Sequence, residues 1–443
     1  MKQLLQTTIS ILFFYNTFNI TFGQTVTTLA GSGNWGTTDG TGSAALFASP
    51  TGVAVDGAGN VYVSDYGTDL IRKVTQQGIV TTIAGTGSVG SSNGIGTAAS
   101  FDAPFSLTVD GSGNLYVADT DNHEIRKITK AGVVSTFAGN LYYGNTNATG
   151  QAASFDYPYG VAVDTIAGII YVADRINNEI RKITTLGVVT TLAGSYYPGS
   201  INGTGVGAKF YSPFGVTVDP FGNVFVADTY NHQIRKITSA GVVTTFAGSG
   251  LQGNSDGIGS VASFNYPSSV ASDASGNIYV ADTNNNSIRK ISTSGVVSTL
   301  AGNIQSGHAD GIGVLASFNG PSGVACDALG NVYVADSNNN RIRKITTSSI
   351  PTGILGLTSI QEISVYPIPA NDQLTVAFTL ENESDLKLEL INIDGNRVST
   401  VEANNISGNY KLLVNIQSLS AGLYIANICV NGLMTSKKLL IAK

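Results

Sequence analysis

From residue 26 onward, short apolar runs alternate with Gly, Asn and Asp turn clusters, and the runs recur at a nearly fixed spacing. The tripeptide Val-Ala-Asp, or a near copy, ends at Asp65, Asp119, Asp174, Asp228, Asp282 and Asp336, at intervals of 54, 55, 54, 54 and 54 residues. Each period holds four stretches patterned as strands, for example Gly215 to Asp219, Asn223 to Asp228, Gln233 to Thr238 and Val242 to Gly248. Four strands per unit, repeated radially, predict an all-β fold, a six-bladed β-propeller. The sixth copy stops after Arg341 to Thr346 without its fourth strand, and that strand stands at the other end of the domain as Val26 to Gly31. The ring is therefore expected to close through an N-terminal strand that completes the last blade.

The polar positions fit the same plan. Asp56, Asp110, Asp164, Asp219, Asp273 and Asp327 each open a turn such as Asp110-Gly-Ser-Gly-Asn114. One carboxylate per turn is too few for a calcium loop and suits a hairpin, with Asp starting it and Gly-Asn tolerating positive φ. Runs such as Asp256-Gly-Ile-Gly259 do not lie between a strand and a long helix, so they are not phosphate cradles. Arg72, Arg126, Arg181, Arg235, Arg289 and Arg343, each followed by Lys, recur once per unit, and each Arg is expected to pair with a repeat Asp.

Composition narrows the function. Charged residues are 12% and Gly numbers 53 of 443, which excludes a coiled coil or a charged disordered chain. A net charge of -6, with most basic residues committed to the repeat, leaves no basic field for nucleic acid. Two Cys make no disulfide framework; Cys326, aligned with Val55, Val109, Val163 and Val218, is expected to be a buried free thiol. The N-terminus carries Lys2, an apolar run from Ile9 to Tyr15 and small residues at Thr21 and Gly23, which reads as a secretory signal peptide over residues 1–23. That run falls short of the ~20 residues that span a bilayer, and no transmembrane segment is expected elsewhere. Residues 24–346 form the propeller, 347–360 a Ser, Thr, Gly and Pro-rich linker, and 361–443 a small C-terminal β-sandwich with alternating runs such as Leu386 to Ile393.

Two resemblances follow from quotable residues. The stretch Asn223-Val-Phe-Val-Ala-Asp-Thr-Tyr-Asn-His-Gln-Ile-Arg-Lys-Ile237 resembles an NHL repeat, and Asn122-His123 repeats its Asn-His pair. NHL propellers include protein- and RNA-binding modules, extracellular sensors and an amidating lyase, so the resemblance implies fold more than function. Tyr366-Pro-Ile-Pro-Ala-Asn-Asp372, Asp394-Gly-Asn-Arg-Val398, Leu419-Ser-Ala-Gly-Leu-Tyr424 and Lys437 to Lys443 resemble the C-terminal sorting domain of the type IX secretion system, with Ile368 where that family usually has Asn. This implies a Bacteroidota-type route to the outer cell surface or medium, with the secretion machinery as a partner.

Candidate chemistry is sparse. The three His are His123, His232 and His308; the first two hold equivalent places two blades apart, short of the three ligands of a catalytic zinc, and read as blade-rim residues. Glu124 and Glu179 are the propeller's only Glu, so no catalytic residue, metal site or cofactor is assigned. Fifteen residues separate each blade-ending Gly from the next blade's Phe, as between Gly139 and Phe155, so one face carries long loops. There the copies disagree. The residue after the repeat Pro is Thr51, Phe105, Tyr159, Phe214, Ser268 and Ser322, and the loops beside the aromatic blades add Tyr142, Tyr143, Tyr196 and Tyr197. This aromatic sector, with no charge beside it, suits stacking on sugar rings or peptide side chains, or else packing of the loops themselves. The reading favours a secreted, non-catalytic binding propeller for glycan or protein. The alternatives are an extracellular lyase or hydrolase working at the channel mouth, and a structural surface element.

Overall fold

The computed structural model describes residues 24–346, 360–367, 370–392, 397–430 and 433–442. The expected leader 1–23, nearly all of the expected linker 347–360, and most of the Asp394 to Val398 motif lie outside the described residues. The chain divides into two compact units, Met1–Ser348 and Ser349–Lys443.

In the first unit, blade one consists of Pro50–Val55, Val61–Asp65, Leu70–Val74 and Ile79–Ala84, antiparallel neighbours in that order. Residues 104–139, 158–194, 213–247 and 267–302 repeat the plan as blades two to five. Blade six holds Pro321–Cys326, Val332–Asp336 and Arg341–Thr346, and its fourth strand is Thr25–Ala30, with Val26 opposite Ile345 and Thr28 opposite Arg343. The shared closing blade expected from the repeat count is therefore present. A feature absent from that expectation is a two-residue strand in the loop entering each blade, such as Gly40–Thr41 on Ile79–Ala84; blade three alone lacks it.

The apolar alternation faces both sides of each blade, and six cores result, each shared by adjacent blades. Tyr279, Ala281 and Ile288 of blade five pack with Phe318, Val324 and Val332 of blade six, together with Val26. The inner strands touch around the full ring, blade six against blade one included. Their approach is close: a Cβ on Gly323 would lie 2.2 Å from the Thr51 carbonyl oxygen, so that position excludes any side chain.

Each repeat Arg is wholly buried and pairs with the Asp that ends the second strand, as Arg235 with Asp228 at 2.7 Å. Its other Nη donates to a loop residue: Asp39, Asn93, Asn147, Asn202, Asp256 or Asp310. The guanidinium lies over the Phe that opens the blade, 5.3 Å from the Phe210 centroid in blade four. One side chain thus ties long loop, second strand and third strand together within a blade. The six turn carboxylates do as expected: Asp56 accepts from the Ala58 and Asn60 N–H groups and from the Asn60 amide and the Tyr62 hydroxyl.

Among its described residues the second unit is one antiparallel sheet of five strands. Gln373–Asn392 pairs with Ile360–Tyr366 along its first half and with Gly422–Val430 along its second, and its register against Arg397–Asn415 breaks near Leu380 to Leu386. Such irregularities bend strands, and the bent sheet encloses Leu374, Val376, Leu388, Leu390, Val414 and Ile428.

Candidate functional site

The inner strands of all six blades line a channel of about 260 Å³, running from Thr51, Phe105, Phe214, Ser268 and Ser322 at one end to Val55, Val109, Val163 and Cys326 at the other. Cys326 is half-buried in that channel rather than enclosed in a core, and burial pushes its thiol up to about 12. The thiolate is thus scarce, and the group is a poor nucleophile.

The mouth is built on positions where blades differ. Thr51, Ser268 and Ser322 serve as clamps: their hydroxyls donate to the Phe105, Ser322 and Thr51 carbonyl oxygens of the following blade, at 2.7, 2.8 and 2.9 Å. In blades two to four the rings replace this clamp. Phe105 and Tyr159 stack at 4.2 Å, Tyr159 meets Phe214 edge-on at 4.7 Å, and Phe105 lies 6.0 Å from Phe214. Tyr66 packs edge-on against Phe105, and Tyr230 lies beside Phe214, extending the patch to blade one and outward in blade four. All three central rings are half-buried, while Tyr142, Tyr143, Tyr196 and Tyr197 are largely exposed on the loops.

The expectation of an uncharged sector is wrong. Arg175 lies over Tyr159 at 4.6 Å and over Phe214 at 5.1 Å. Its Nη1 donates to the Tyr159 hydroxyl and its Nε to the Ser212 hydroxyl, both at 3.0 Å. The sequence did hold a signal. The residue after each Val-Ala-Asp is Thr120, Thr229, Thr283 or Ser337 in four blades, and those hydroxyls donate to the next blade's Pro carbonyl. Blades one and three break that pattern with Tyr66 and Arg175. Comparing only the position after Pro missed them. Carboxylates also border the mouth: Asp102 is held above the usual range by burial and by its neighbours Asp121 and Asp69.

His123 and His232 latch one blade to the next. Both sit at φ near +55° with Nδ1 accepting the N–H of Tyr157 or Tyr266 in the next blade, at 3.2 Å. The equivalent Asp69, Asn178, Asn286 and Asn340 make the same bond through a side-chain oxygen. Among the described residues no group of three His, Cys, Asp or Glu is placed to hold a metal ion.

Family comparison agrees with the geometry. The NHL repeat model matches residues 210–237, 264–291 and 318–345, and the model for a secretion system C-terminal sorting domain matches 364–442. The chain carries NHL repeats and a secretion system C-terminal sorting domain. The NHL propeller is similar to NHL repeat-containing protein 2 of Gallus gallus, 32% identical over 305 residues covering 60% of this chain and 42% of that protein. It is also similar to Protein SUPPRESSOR OF QUENCHING 1, chloroplastic, of Arabidopsis thaliana, 30% identical over 59% of this chain and 27% of that one. The chain thus spans less than half the length of these curated relatives. Among solved structures, an auxiliary nutrient binding protein from Bacteroides thetaiotaomicron superposes with a TM-score of 0.57 at 16% identity, covering 73% of this chain and 76% of that one. The sorting domain marks the protein for secretion or outer-surface attachment. No helix among the described residues is long and apolar enough to cross a membrane.

The latches of the NHL propeller carry a pH prediction. Burial lowers both imidazoles below their ordinary 6.5, against the pull of Asp156 and Asp121 on His123. A depressed pKa means that the unfolded chain takes up protons the folded chain refuses, so stability present above pH ~6.5 is lost as pH falls through that value. The double substitution His123→Asn and His232→Asn, which installs the acceptor used in blades three, five and six, should flatten the fall in melting temperature between about pH 7 and pH 5. Equal pH dependence of parent and variant would show that the latches do not titrate.

Proposed function

We propose that the protein is an exported binding module whose ligand, a glycan, rests on the aromatic mouth of blades two to four. The observation that carries this reading is that Phe105, Tyr159 and Phe214 depart together from the clamp chemistry of the other blades, giving up inter-blade bonds to present rings at the channel entrance. Ring-to-ring stacking also joins these blades, but it leaves aromatic surface at the entrance where the hydroxyl clamps leave none. The tyrosine pairs on two loops are exposed and open to a ligand, and the fold shared with a nutrient-binding protein supports a binding role.

A glycan and peptide array on the intact propeller identifies ligands, and the combined Phe105→Ala, Tyr159→Ala and Phe214→Ala variant tests the site. Ring stacking is worth ~0.5–1.5 kcal/mol beyond burial, so losing three rings should weaken binding about a hundredfold or more. Thr51, Ser268 and Ser322 are unsuitable controls because they clamp the blades. Val89→Ser with Leu251→Ser, both exposed on other loops, serves instead. Unchanged binding by the folded triple variant sinks the reading.

A further inference from the structure

Arg175 stands apart from the repeat arginines. Each of those six is buried against an Asp carboxylate within 3.0 Å, whereas no carboxylate among the described residues lies within ion-pair distance of Arg175, which is half-buried. It is nonetheless held in place: two hydrogen bonds fix Nε and Nη1, and two ring faces support the guanidinium plane. A guanidinium offers five N–H donors, and Tyr159 and Ser212 engage two of them. The planar fork fits a carboxylate's two oxygens, and a guanidinium already oriented by stacking loses little freedom on binding.

Resting on the binding role above, we propose that Arg175 anchors a carboxylate of the ligand, and that the ligand is an acidic polysaccharide bound through a uronate residue. The ring of such a sugar can lie on the aromatic patch while its carboxylate meets the guanidinium. The exposed side-chain amides of Asn284 and Asn338, which occupy in blades five and six the place of Tyr230 in blade four, suit sugar hydroxyls across the mouth. The charge at the mouth also sets an orientation. Asp69, Asp102 and Asp121 gather on blades one and two, so the anionic end of the ligand turns away from them toward blade three, where Asp156 is the acidic neighbour of Arg175.

The test is calorimetric titration of the exported propeller with a uronate oligosaccharide and with the same oligosaccharide after reduction of its carboxyl groups. The parent should prefer the uronate by about 10- to 100-fold, the loss expected when a charged hydrogen-bonded partner is removed. Arg175→Thr, which installs the residue of blades two, four and five, should abolish that preference without lowering the melting temperature. Arg175→Lys, lacking the fork, should recover part of it. Equal binding of both sugars at the mouth, or a preference that survives Arg175→Thr, overturns the carboxylate anchor while leaving the binding site in place. Capture of peptides with a free C-terminus in preference to either sugar overturns the ligand class. Failure of either sugar to respond to the triple aromatic variant overturns the site itself.

Discussion

Deleting residues 25–31 should leave a propeller that aggregates, or that melts far below the parent. The strand Thr25–Ala30 carries the front of the domain into blade six, and Val26 is fully buried in the core between blades five and six. Its burial contributes ~1.5–3 kcal/mol, and each ladder bond to Arg341–Thr346 contributes ~1 kcal/mol. The deletion also strips Asp310 of the Thr28 N–H and hydroxyl and exposes an unpaired edge. Those losses together approach the ~5–15 kcal/mol by which domains are stable. Thermal unfolding of the truncated protein, with and without a synthetic peptide of residues 24–32, measures this. Partial recovery by the peptide is expected; a truncated protein that melts like the parent would refute closure by the shared blade.

Asp228→Ala should cost ~3–5 kcal/mol of unfolding free energy, the range found when one partner of a buried ion pair is removed. Asp228 accepts from the Tyr211 N–H, the Asn231 amide and Arg235, all within 2.8 Å, and Arg235 stays wholly buried without it. The double change Asp228→Leu with Arg235→Met should cost clearly less than Asp228→Ala, because no charge is left stranded. Urea titrations of the three proteins decide this. A cost below ~1 kcal/mol for Asp228→Ala would mean that the pair does not knit the blade.

The scaffold was legible because sixfold repetition separates structure from function: what recurs in every unit must serve the unit. Arg235 could be given a repeat Asp as partner on that ground, with Asp219 and Asp228 both open, and Val26 to Gly31 could be assigned to blade six by counting strands. Partners brought in by loops were not legible. Nothing in the spacing placed Asn202 on Arg235, or the His232 ring on the backbone of Tyr266, since both contacts depend on how a long loop returns over its blade. The aromatic sector emerged from a break in repetition at one position, and Arg175 was overlooked because its own break lies at another. Thr51, Ser268 and Ser322 differ from the rings at that position because hydroxyls of that size are what blade-to-blade clamping requires.

On the proposed function, the molecule binds where its symmetry is broken. A crystal structure of the propeller with an array-positive oligosaccharide tests it most directly. The expected result is a sugar ring over Phe105, Tyr159 and Phe214 with its acidic group on Arg175. Ligand seated on blades five, six and one, or on the opposite face beside Cys326, would contradict it.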